Sequence, residues 1–101
     1  MNWDSRRNKA LVAAVLALKS SKEARRFLRD LMTEGEIEEF AKRLLAARML
    51  TAKLPYSAIE KETGLSSTTV ARVSKWLNGK EGGYKTVIRR LHHPLPVTRE
   101  G

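Results

Sequence analysis

Between Pro55 and Leu77 the chain sets hydroxyls and cations at helical intervals: Ser66, Ser67, Thr68 and Thr69, then Arg72 and Lys75. Short hydroxyl side chains bond base edges or phosphates, and Arg and Lys neutralise phosphates. Val70, Val73 and Leu77 recur at spacings of three and four, which commits one face of the same helix to a core. Ser67, Thr68, Ala71, Arg72 and Lys75 are left on the outward face. A face that is short, polar and basic suits the major groove of duplex DNA.

Other chemistry lacks its parts. The chain has no cysteine, which excludes disulfides, thiolate metal sites and cysteine nucleophiles. Its two histidines, His92 and His93, are adjacent, and sequence neighbours do not share a helix face. No Ser-His-Asp set and no phosphate-cradling glycine loop occurs. Glu36 and Glu39 read as helix-start residues rather than catalysts. The expectation is a protein that is not an enzyme and that takes neither metal nor cofactor.

The outward face needs a frame, and residues 55–77 supply one. Pro55 suits a helix's first turn but not its interior. A short helix over about 56–63 would turn Ile59 inward. Gly64 can take the left-handed conformation of a tight turn, Leu65 plugs the corner, and Ser66 caps the next helix. This is the pattern of a helix-turn-helix. Ser57 joins the candidate DNA contacts. Tyr56 either touches a phosphate or staples the helix start. Glu60 fits least well: close to where two such helices cross, it must lean outward or splay them.

The 101 residues allow one domain, placed here at residues 1–91. Hydrophobic residues are 42% and charged residues 31%, a globular composition. The formal net charge of +9 asks for a polyanionic partner, nucleic acid or an acidic membrane. Arg6, Arg7 and Lys9 precede the apolar run Ala10–Leu18, which imitates a signal peptide. That run is short of the about 20 residues a bilayer needs, and no cleavage site follows. It reads as a buried helix of a cytoplasmic protein without a membrane partner.

The rest is helical. A first helix, about Ser5 to Lys19 with Asp4 as its cap, is apolar nearly all round, so a second copy of the chain is its natural cover. Ser20 with Glu23, and Thr33 with Glu36, are capping boxes that open two further helices. Ala24, Phe27, Leu28 and Leu31, then Ile37, Phe40, Ala41, Leu44, Ala47, Met49 and Leu50, form stripes expected in a core. Asn78-Gly79 ends the helix after the turn, and a last helix covers about Tyr84 to Leu91. Residues 92–101, with Pro94 and Pro96, are expected to form a flexible tail.

The segments Leu31-Met32-Thr33, Ala47-Arg48-Met49-Leu50, Tyr56 to Val73 and Gly83-Tyr84-Lys85 resemble the Trp repressor superfamily. The chain is most similar to its small YerC/YecD-like branch, over about residues 5–91. The resemblance implies an all-α bundle of short helices with a helix-turn-helix, an intertwined homodimer, and a transcriptional regulator, a repressor, that binds operator DNA. It also points to an effector pocket in which Thr33, Arg43, Thr69 and Arg72 match family positions around L-tryptophan. Two positions depart from the pattern. Val73 stands where the indole packs on a glycine, and Trp76 stands where a serine helps hold the amino group. L-tryptophan is therefore not expected as a corepressor. The rival reading is a non-specific nucleic-acid-binding or RNA-associated assembly module that uses the same charge without reading sequence.

Overall fold

A computed structural model describes residues 1–91. All regular structure among them is helical: α1 (Arg6–Ala17), α2 (Ser21–Leu31), α3 (Glu34–Thr51), α4 (Tyr56–Thr63), α5 (Ser67–Leu77) and α6 (Gly83–Arg90). The expected tail, His92 and His93 included, lies outside the described residues. The chain divides into two compact units, the first Met1–Ile37 and the second from Glu38 onward.

In the first unit local hydrogen bonds decide where helices start. The cap of α1 is Ser5 rather than Asp4, its hydroxyl accepting from the Asn8 N–H at 3.2 Å. Asp4 belongs to the preceding turn, where its N–H donates to Asn2 Oδ1. The helix also stops two residues short of Lys19. The Lys19 N–H donates to Glu23 Oε1 at 2.9 Å, while Ser20 Oγ accepts from the Glu23 N–H, so the capping box of α2 claims the connecting residues. At Thr33 the box is fully reciprocal: Thr33 N–H to Glu36 Oε1 at 2.9 Å, and Glu36 N–H to Thr33 Oγ1 at 3.1 Å.

Burial corrects part of the expected core. No residue of α1 or α2 is buried. Leu28 and Leu31 are exposed, as are Leu11, Val12, Val15 and Leu16. Phe40, early in α3, is exposed too. These stripes are apolar but find too little of the same chain to cover them.

The second unit holds the core. Ala46, Ala47 and Met49 of α3 pack with Ile59 of α4, the corner residue Leu65, and Val70 and Val73 of α5. Leu54, Tyr84 and Ile88 flank them. The stretch after α3 ends in a Schellman pattern: the Leu54 N–H bonds Met49 O and the Lys53 N–H bonds Leu50 O. Glycine is the usual occupant of the left-handed position this demands. Here it is Lys53, at φ 66°, which costs about 1 kcal/mol against glycine.

Candidate nucleic-acid interface

The turn between α4 and α5 is built by three neighbours. Gly64 takes φ 76° and its N–H closes the helix on Glu60 O at 2.8 Å. A β-carbon there would meet no atom, so backbone conformation and not space calls for glycine. Thr63 is buried and fully engaged: its Oγ1 donates to Ile59 O at 2.7 Å and accepts from the Leu65 N–H at 3.1 Å. Leu65 is thereby pinned at the corner and buried with Ile59. The sequence pointed to Gly64, Leu65 and Ile59, but not to the Thr63 hydroxyl, whose signal was only a hydroxyl just before the glycine. Glu60 is half-buried and makes no ion pair among the described residues.

Ser66 opens α5, its Oγ accepting from the Thr69 N–H at 3.2 Å. The Ser66 and Thr69 hydroxyls also bond each other at 3.2 Å. Both are therefore partly spent on the helix start. On α5 itself Val70, Val73 and Leu77 are buried, while Ser67, Thr68, Ala71, Arg72 and Lys75 are all exposed. The two faces of one helix separate as the spacing requires. Tyr56 and Ser57, in the first turn of α4, are exposed as well.

The candidate effector residues have different surroundings. Thr33 spends its hydroxyl on the cap of α3. Arg72 is exposed, with no ion pair among the described residues. Arg43 lies between two rings: its Cζ is 5.4 Å from the Phe40 centroid and 5.6 Å from that of Trp76. Its Nε stands 3.5 Å from Glu39 Oε2, within ion-pair reach, yet the N–H is not directed at any acceptor. Two rings and one carboxylate thus surround the guanidinium. Val73 is fully buried in the core, whereas Trp76 remains 46% exposed.

Trp76 also lines an open cavity of about 740 Å³ with Leu44, Tyr84 and Val87. Burial raises the Tyr84 phenol above its usual 10.0, and the positive Arg43 partly opposes the shift. The folded state therefore holds this proton more tightly than the unfolded chain. The stability it lends is complete below about pH 10 and falls as pH rises beyond that value. Urea unfolding midpoints should drop as pH rises above about 10, and Tyr84→Phe should flatten that drop. An unchanged slope in the variant would assign the loss to other groups.

Among the described residues no helix is long and apolar enough to cross a membrane. No group of three or more His, Cys, Asp or Glu is placed among them to hold a metal.

Among the described residues, six helices without a strand, two of them joined by a glycine turn with the second half-sunk in a core, define a helix-turn-helix protein. The family model described as Trp repressor protein matches residues 6–92, and the chain belongs to that family. It is similar to the uncharacterized protein YerC of Bacillus subtilis (strain 168), 41% identical over 81 residues, which are 80% of this chain and 78% of YerC. A solved TrpR-like protein from Eubacterium eligens ATCC 27750 is 35% identical with a TM-score of 0.81, covering 87% of this chain and 91% of that one. A solved structure from Staphylococcus aureus is 30% identical, also with a TM-score of 0.81, over 89% and 93% of the two chains.

Proposed function

We propose that two copies of this chain bind duplex DNA sequence-specifically and repress transcription, each laying the start of α5 in a major groove. The observation that carries this reading is the division of α5. Val70, Val73 and Leu77 are buried, and the opposite side offers Ser67, Thr68, Ala71, Arg72 and Lys75 to solvent. Membership of the Trp repressor family supports it, because the family suggests a DNA-binding regulator. The net charge of +9 supplies the sequence-independent part of the affinity. Ser67, Thr68 and Ala71 read base edges, while Arg72 and Lys75 take phosphate or guanine. Tyr56, Ser57 and Ser66, all exposed, contact the DNA backbone. The protein acts in the cytoplasm as a binding protein and not as an enzyme, with residues 1–91 melting as one domain in the homodimer.

Selection from random duplexes should enrich a roughly palindromic site with half-sites about one helical turn apart. On that site Arg72→Ala or Lys75→Ala should weaken binding about tenfold at low salt, with the loss shrinking as salt rises. Thr68→Ala should instead change which base is preferred at one position per half-site. Equal affinity for every duplex at fixed salt would favour the non-specific, RNA-associated reading.

A further inference from the structure

On the side of α5 away from Trp76 lies a second concavity, of about 480 Å³. Its lining differs in kind from that of the first. Lys53 after α3, and Lys85 and Arg89 of α6, converge on it from two parts of the chain, and no carboxylate lines it. None of the three cations makes an ion pair among the described residues. The first cavity, by contrast, sets Glu81 beside Lys75 and Lys80. The floor of the second is apolar, with Leu77 buried and Ile88 half-buried. Half-buried Ser74 lines it too, its hydroxyl without a hydrogen-bond partner among the described residues.

Lys53 is the telling residue. It holds a left-handed backbone at φ 66°, where glycine would close the same Schellman turn without strain. A helix C-terminus welcomes any nearby cation, but a lysine one residue earlier or later would serve that purpose unstrained. Strain kept at a particular residue points to a use for its side chain.

We propose that this concavity binds a small organic phosphate, an apolar body carrying a terminal phosphate group. Lys53, Lys85 and Arg89 hold the phosphate through charge-assisted hydrogen bonds, and Ser74 donates one more. The body rests on Leu77 and Ile88. That floor favours an organic phosphate over inorganic phosphate or a backbone phosphate of DNA, neither of which brings anything apolar to cover it. Because Ser74 and Leu77 belong to α5, occupancy bears directly on the helix assigned above to DNA. Binding of the probe is measured first without DNA, so its failure is distinct from failure of that assignment, and a duplex is added only as a competitor.

The probe is phenyl phosphate, titrated into the full chain and followed by amide chemical shifts. Saturable shifts are expected at Ser74, Asn78 and Ile88, with weaker binding of inorganic phosphate and none of phenol. Lys53→Gly should weaken the probe about tenfold while leaving the melting temperature equal or higher, the opposite of what a structural lysine would do. Arg89→Gln should weaken it by a similar factor. Equal binding of phenol, shifts spread over every surface lysine, or an unchanged affinity in Lys53→Gly would overturn the proposal. Displacement of the probe by a short duplex would transfer the site to the DNA backbone and overturn the small-ligand assignment.

Discussion

Val15→Glu should separate the protein into monomers and unwind its first two helices. In α1 and α2 no residue is buried, although the run from Ala10 to Leu18 is wholly apolar. Leu16 is 79% exposed and Val15 more than half exposed. Patches of this kind mark surfaces that another molecule covers. A short helix without tertiary packing is marginal in water, so α1 depends on that cover for its own existence. A second copy with two-fold symmetry meets the need, since one patch then covers its twin. In such a dimer Val15→Glu brings in two buried carboxylates at once, each costing several kcal/mol when unpaired. Sedimentation equilibrium should give twice the 11.4 kDa chain mass for the parent protein at micromolar concentration, and the single chain mass for the variant. Circular dichroism should fall with it. A parent protein that stays folded and monomeric on dilution would refute the dimer.

How far the sequence disclosed this structure depends on the range of the interaction. Features set within four residues were legible. Ser20, Thr33 and Ser66 each cap a helix through a bond to the residue three ahead, and Gly64 closes α4 in the left-handed conformation. Asp4 was misread because Ser5 beside it is an equally good cap, and only the turn at Asn2 decides between them. Apolar periodicity marked the faces of α1 and α2 correctly as apolar. It does not say whether a stripe is covered by its own chain, and here it is not.

The candidate site divides in the same way. The outward face of α5 followed from the spacing of Val70, Val73 and Leu77, all buried. Arg43 between Phe40 and Trp76 did not, because Trp76 lies 33 positions on and nothing in its surroundings names a cation as partner. Lys53 was equally silent: its strained backbone arises from the way α3 must end to reach Pro55, at a position where sequence rules look for glycine.

Val73→Gly should cost far more stability than Trp76→Ser, and this asymmetry governs the question of L-tryptophan. By resemblance both residues occupy space an indole would need. In the structure they do different things. Val73 is 0% exposed among Met49, Ile59 and Val70, so removing its side chain empties part of the core. The three carbons lost are worth about 2 kcal/mol in burial, and glycine in a helix interior adds about 1 kcal/mol. A loss of about 3 kcal/mol is a large share of the about 5–15 kcal/mol that holds a small domain together. Trp76 is 46% exposed and lies over Arg43, so Trp76→Ser removes a surface ring and one cation–π contact of about 1 kcal/mol. The parent protein should show no heat with millimolar L-tryptophan, since the ligand must displace the Trp76 ring to reach Arg43 and Val73 cannot yield without a cavity. In Trp76→Ser the guanidinium is uncovered on one side while the core stays intact. Weak binding of L-tryptophan should then appear in calorimetry, and vanish again with Arg43→Met. Tight binding by the parent protein would show that the ligand avoids both side chains and that Trp76 bars nothing.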